Sequence, residues 1–165
     1  GVGLLAATSN PEAQTALHEL YREPDRTADE KLSILAGVSA GEGIPAPAWK
    51  ATFEQQIQAD SEAAVREASV YALGSAIRKE TDAAKRGELE GLLWREVRDA
   101  RSEPAQLVVL DAIGNSGSGE YYSYLKEQSE SASVRVRAKT AFAVRFLAAE
   151  QARPILERAK ADPSA

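Results

Sequence analysis

Apolar side chains in this chain return at intervals of three and four residues, the period of a helix with one buried face. Ala13, Leu17, Leu20 and Tyr21 form the first complete stripe, opened by Ser9-Asn10-Pro11-Glu12. Serine three residues ahead of glutamate is a reciprocal N-terminal cap, and proline fits an early helical turn. Val2 to Ala7 reads as the tail of a preceding helix. Thr27 and Glu30 repeat the cap, with Leu32, Leu35, Ala36 and Ser39 expected on the buried face behind them. The stretch Gly41-Glu42-Gly43-Ile44-Pro45-Ala46-Pro47 interrupts the helix. Trp49, Phe53 and Ile57 then resume the stripe at four-residue steps. A third unit opens at Asp60 or Ser61 and runs to Arg78, followed by a partner from Asp82 to Ala100 carrying Leu89, Leu92, Leu93 and Val97. A fourth starts at Ser102-Glu103-Pro104, turns through Gly114 to Gly119, and continues through Tyr121, Tyr122 and Leu125. The fifth begins at Ser131 to Ser133 and places Val134, Ala138, Ala141 and Phe142 on one face. It turns near Ala149 into Pro154, Ile155 and Leu156. No window alternates apolar and polar residues with β-branched enrichment, so no strand is predicted.

Three of these segments are versions of one another. Val65 to Gly74 can be laid over Ala105 to Gly114 and over Val134 to Ala143, each ending in small residues. A unit of roughly 30–40 residues returning in this way marks stacked helix pairs. The expectation is an all-α, HEAT-like solenoid of about five stacked pairs, a single domain over residues 1–165. The chain opens on Gly1-Val2-Gly3 without methionine, and Ala161 to Ala165 resembles the lead-in to another unit. It therefore reads as a piece of a longer protein.

Composition narrows the function classes. The 44% apolar fraction is enough for a continuous core, and much of it is alanine, which lets helices approach closely. The longest apolar runs fall far short of a membrane span. A net charge of −5, with acidic and basic groups intermixed, argues against a nucleic-acid partner, which calls for a concentrated basic face. With no cysteine, thiol catalysis and thiolate metal sites are excluded.

The motifs with chemical potential read mostly as architecture. The glycine-rich turn Gly114 to Gly119 follows a helix rather than a strand and lacks a following Lys-Ser or Lys-Thr, so it is expected to be a turn with glycine at positive φ. His18, the only histidine, begins a His-Glu pair, but Arg22 stands where a zinc-protease motif needs its second histidine. It is assigned a structural or solvent-facing role. Carboxylates such as Glu88, Glu90 and Glu96 sit among polar neighbours, and no pair stands out for acid–base work. No catalytic residue, metal ligand or cofactor is assigned. Arg66 and Arg135 follow valine at corresponding places and are expected to bind a carbonyl or carboxylate of the adjacent repeat. Arg95, Arg98 and Arg101 recur every three residues, with Glu96 and Asp99 between them; a partner-docking stripe and intrahelical ion pairs explain them equally. Of Tyr121, Tyr122 and Tyr124, at least one must point outward, and tyrosine is favoured at interfaces. Tyr121, Tyr124, Arg95 and Arg98 are accordingly the candidate partner-binding residues, while Trp49 and Trp94 are assigned to the core.

The order of the segments resembles one family more narrowly. Leu4 to Thr8, Ala72 to Lys79, Leu110 to Gly117, Val134 to Leu147 and Ala152 to Leu156 are similar to successive parts of the helical superhelix, or lipovitellin-type domain, of vitellogenin and the large lipid transfer proteins. That resemblance implies a curved, right-handed double layer of helices, non-enzymatic, wrapping lipid-holding sheets and contacting partner subunits. It also implies an exported or cell-envelope location. The chain departs from the family in having no cysteine and no β-rich continuation, and its excess of arginine over lysine is of bacterial character.

The expected function is a non-enzymatic scaffold whose curved face binds another protein or another domain of its own chain, without nucleic acid or membrane span. The first alternative is the helical part of a lipid-binding or lipid-transport assembly, which calls for an apolar concave lining. The second is a HEAT-like DNA-repair glycosylase, which requires a basic groove and runs against the acidic charge balance.

Overall fold

In the computed structural model, residues 10–58 and 62–164 are described. They form nine α-helices and no strand among the described residues: α1 (Pro11–Arg22), α2 (Ala28–Ala40), α3 (Trp49–Gln58), α4 (Ala63–Lys79), α5 (Ala83–Asp99), α6 (Glu103–Ser116), α7 (Tyr122–Gln128), α8 (Val134–Ala143) and α9 (Ala149–Ala161). Short 3₁₀ turns, Gly119–Tyr121 and Val144–Phe146, lead into α7 and out of α8. The expected first helix tail (Val2 to Ala7), the Ser9 cap and the third unit's start at Asp60 or Ser61 lie outside the described residues.

Local sequence explains most helix starts. The four orphan amides at a helix N-terminus need acceptors, and short polar side chains supply them. Asn10 accepts from the Glu12 amide at 2.8 Å. Thr27 and Glu30 form the reciprocal cap, each side chain taking the other's backbone N–H. Asp82, Ser102 and Ser133 cap α5, α6 and α8. At the other end of α6, Gly117 adopts φ +60 and donates its N–H to the Ile113 carbonyl. It is the one positive-φ residue among those described, so the glycine-rich segment is a helix terminator, as its context predicts.

The even-numbered helices pack side by side in chain order, α2 on α4, α4 on α6 and α6 on α8. α3 and α5 pack against α4, α5 also against α6, and α7 and α9 against α8. Between the two sets lies a cluster of buried apolar side chains running from Leu17 to Ile155. The stripes Leu17/Tyr21, Trp49/Phe53/Ile57 and Leu89/Leu92/Leu93/Val97 all enter it.

The even row is held close by missing side chains. A Cβ on Gly74 in α4 would stand 2.1 Å from the Ala112 carbonyl oxygen of α6. One on Gly114 would stand 3.0 Å from Cα of Ala143 in α8. Each glycine thus receives an alanine of the next helix in the row.

Two expected faces are corrected. In α2 the buried residues are Ile34, Leu35 and Val38, while Ala36 is exposed and Leu32 and Ser39 are half-buried. In α8 the buried residues are Val136, Thr140 and Ala143; Val134, Ala138 and Phe142 are exposed, Phe142 by 57%. The parallel between α4 and α8 runs two residues later than the sequence alignment places it. Thr140 donates back to the Val136 carbonyl at 2.8 Å, as Ser69 does to Val65 at 2.8 Å, which equates Val136 with Val65 and Thr140 with Ser69. On that register Ala143 matches Ala72 and Ala112, and Arg145 takes the place of Gly74 and Gly114.

Candidate functional site

The outer face of the even row carries an open groove of about 690 Å³, crossing all four of its helices. α2 contributes Leu32, Ala36 and Ser39, α4 Ala68 and Tyr71, and α6 Asp111 and Asn115; Phe142 of α8 and Arg145 just beyond it close one end. Leu32 and Ala36 of the expected α2 face and Phe142 of the expected α8 face line this groove, together with Ala68 of α4. Periodicity marks an amphipathic face but not which neighbour covers it.

Polar groups cross-link the groove floor. Asn115 donates to the Tyr71 carbonyl at 3.4 Å and accepts from an Arg145 guanidinium nitrogen at 2.5 Å. Arg145 also donates to the Phe142 carbonyl at 3.2 Å. Lys139 donates to both Asp111 carboxylate oxygens, each at 2.9 Å. Burial pushes the Tyr71 phenol above its ordinary pKa, with Asp111 and Glu67 adding to the rise.

The end of the groove at Phe142 is built from cations over rings. The Arg145 guanidinium lies 4.3 Å from the Phe142 ring centroid and 5.1 Å from that of Phe146. Arg78, at the end of α4, lies 4.5 Å from the Phe146 centroid. Lys139 stands 5.9 Å from the Phe142 ring. Phe146 remains 49% exposed. Burial draws the Arg145 guanidinium below its ordinary value; Asp111 opposes that shift and Arg78 reinforces it. The absence of a Cβ on Gly114 makes room for this guanidinium, since a Cβ there would lie 2.2 Å from it.

The residues singled out from sequence lie elsewhere. Tyr121 is fully buried, donates to the Glu90 carbonyl at 2.9 Å and packs at 5.1 Å against the Trp94 ring. As a surface contact it is therefore corrected to a core residue. Tyr124 is half-buried against the core, and burial pushes its phenol up to about 12. Arg95 and Arg98 are exposed on α5, which does not line the groove; Arg95 pairs with Glu54 of α3 at 2.7 Å rather than along its own helix. The structure does not bring these four together in the groove.

The architectural readings fare better. His18 is buried, shares a 2.8 Å hydrogen bond with Thr52 and meets the Trp49 ring edge-on at 5.1 Å. Burial lowers its pKa, with Arg22 adding to the effect. Arg66 donates to the Ile57 carbonyl and pairs with Glu96 at 3.2 Å, and Arg135 pairs with Glu103 at 2.9 Å. Both arginines thus bridge neighbouring helices, while on the corrected register the counterpart of Arg66 is Arg137, which pairs with Asp162. Trp49 is buried and Trp94 packs against the core.

No described helix is long and apolar enough to cross a membrane, and no group of three or more potential metal ligands occurs among the described residues. No protein-family model, curated protein or solved structure matches the chain.

Proposed function

We propose that this chain is a non-enzymatic helical-repeat scaffold that binds another protein, or another domain of its own chain, on the groove face of α2, α4, α6 and α8. The observation that carries the reading is the exposed Phe142 and Phe146 pair, held beneath guanidiniums at one end of an open groove. Large apolar side chains set among oriented polar groups are the composition of interface hot spots, in which aromatic residues and arginine predominate. The even helices follow one another in chain order, with glycine-to-alanine contacts between α4 and α6 and between α6 and α8. That succession supports a stacked, superhelical arrangement of the kind found in the vitellogenin-type helical domain, which is part of this proposal. A lipid-carrying role is less well supported, because Leu32, Ala36 and Ala68 share the groove with Ser39, Asp111, Asn115 and Arg145. An acyl chain would leave those polar groups without water.

The test is photo-crosslinking in cells of the chain's own source. A benzophenone amino acid replaces Phe142 in one sample and Glu157, exposed on α9, in another. Protein adducts from position 142 and not from 157 support the reading. Lipid adducts, equal labelling from both positions, or no adduct at 142 refute it.

A further inference from the structure

Resting on that reading, we propose that the corner formed by Arg78, Phe142, Arg145 and Phe146 takes a protein segment in which an acidic side chain shares a face with an aromatic or branched aliphatic one. Two independent features of the corner point to this chemistry.

The first is the state of the two guanidiniums. Both lie over the Phe146 ring, at 4.5 and 5.1 Å. A guanidinium held over a ring keeps N–H groups at its edge, and at Arg78 the whole fork that meets a carboxylate bidentately is unused among the described residues. Arg78 donates to no described residue, and Arg145 uses its terminal nitrogens only on the neutral Asn115 and Phe142 oxygens. Neither forms an ion pair among the described residues. Asp111 is held by both oxygens to Lys139. Glu90 and Glu120 line the adjoining depression with Arg78, but Glu90 accepts from the Ser118 hydroxyl at 2.6 Å instead. Neither guanidinium is therefore paired with a carboxylate among the described residues, on a chain whose net charge is −5. The nearby acidic groups are Asp111, which acts on Arg145 from its bond to Lys139, and Glu120 beside Arg78.

The second is the apolar surface beside that charge. Phe142 and Phe146 are about half exposed, and the groove continues from Phe142 over Ala68, Ala36 and Leu32. An extended segment anchoring an acidic side chain at the guanidiniums would bring the side chain two residues away, which shares its face, onto a phenyl ring. A nucleic acid fits less well. The corner offers Arg78, Lys139 and Arg145 with Lys139 already neutralised, and the acidic remainder of the chain repels a polyanion. Nor does another helix of the same repeat fit. Arg145 occupies the place where Gly74 and Gly114 admit a close neighbour.

The experiment begins with a phage-displayed random heptapeptide library panned on the full chain. The enriched consensus is synthesised with a fluorophore and titrated by anisotropy against wild type, Arg78→Gln, Arg145→Gln, Phe142→Ser and, as a remote control, Lys126→Gln. Circular dichroism confirms that each variant is folded. We expect a consensus pairing Asp or Glu with an apolar residue, at least tenfold weaker binding to F142S, and no change with K126Q. R78Q and the amide version of the peptide should each weaken binding about fivefold, and combining them should weaken it no further. That coupling separates a direct contact from a general loss of structure. A consensus without an acidic residue, or binding insensitive to R78Q and R145Q while still lost in F142S, overturns the acidic-segment proposal and leaves the protein-binding face standing. No peptide sensitive to F142S, or a dimer of the chain dispersed by F142S, overturns the proposal, and the first of these removes the protein-binding reading with it.

Discussion

Gly74→Ala is the sharpest test of how the even row is built. The new Cβ would meet the Ala112 carbonyl oxygen at 2.1 Å, its carbon at 2.8 Å and its Cα at 2.9 Å. All three are backbone atoms of α6, so no side chain can swing aside. Reaching the 3.4 Å at which ordinary contact begins requires α4 and α6 to separate by about 1.3 Å in an interior packed as densely as an organic crystal. A gap of that size forfeits a quarter to a half or more of the dispersion attraction of each facing atom pair. Overpacking commonly costs about 1–3 kcal/mol and here involves rigid backbone, while alanine's higher helix propensity returns about 1 kcal/mol. The rigid backbone puts this substitution at the upper end of that range, about 3 kcal/mol, so the expected net loss is about 2 kcal/mol, or roughly 4–8 °C in Tm for a domain of this size.

The control is the same substitution on α5. Gly87 and Gly91 are exposed, with nothing within 4 Å of an added Cβ. There the propensity term acts alone, and each alanine should raise stability by about 0.5–1 kcal/mol. Gly114→Ala is intermediate. Its Cβ meets the movable Arg145 guanidinium at 2.2 Å and Ala143 Cα at 3.0 Å, so we expect a loss of about 1 kcal/mol. Urea unfolding followed by circular dichroism measures all four. G74A within 0.5 kcal/mol of wild type, or G87A as destabilising as G74A, would refute the close-approach argument.

Three further outcomes are expected. Thr27→Ala removes one half of a reciprocal cap and should cost about 1 kcal/mol in urea unfolding, whereas Thr27→Ser should restore most of it. Tyr121→Phe keeps the ring against Trp94 but loses the 2.9 Å bond to the Glu90 carbonyl, so a loss of about 0.5–1.5 kcal/mol is expected; no loss would mean that the hydroxyl is not so engaged. Lys79 donates to the Val38 and Ser39 carbonyls at the end of α2, and burial, with Arg78 adding to it, lowers its pKa to about 8. Between about pH 8 and its ordinary value of 10.5 the unfolded chain holds a proton that the folded chain has released. Stability relative to Lys79→Met should therefore rise through that window, by about 1–2 kcal/mol after allowance for a half-exposed site. A flat or falling difference would show that the amine keeps its charge.

Much of the helical framework was legible because its signals are local. Caps at Thr27, Ser102 and Ser133, the breaks at Gly41 to Pro47 and Gly117, and the stripe from Leu89 to Val97 depend on residues within a turn or two of each other. What sequence did not disclose depends on neighbours far along the chain. Tyr121 looked like a surface residue because three tyrosines cluster in four positions, yet its hydroxyl finds a carbonyl of α5. Phe142 looked like core because it lies four and eight residues from Ala138 and Val134. The competing stripe of Val136, Thr140 and Ala143 contains a polar residue, and its claim on the interior rests on Thr140 satisfying its own hydroxyl against Val136. Ser69 follows the same rule in α4. That shared back-bond was the available signal for which face of α8 is buried.

The register also links the framework to the candidate site. In α4 and α6 a glycine stands two residues after Ala72 and Ala112, and the absent side chain admits an alanine of the next helix. Two residues after Ala143 of α8 stands Arg145. A long cation there cannot admit a helix at the same distance, but it can lie back over Gly114, reach Asn115 and cover two phenyl rings. Glycine and arginine at these matched places therefore perform different tasks. The glycines draw successive helices together; the arginine leaves Phe142 and Phe146 uncovered by a like neighbour and places a guanidinium over them. The exposed rings are thus tied to the same packing rule that builds the row, and a partner at this corner must answer a guanidinium and a phenyl surface rather than a glycine step.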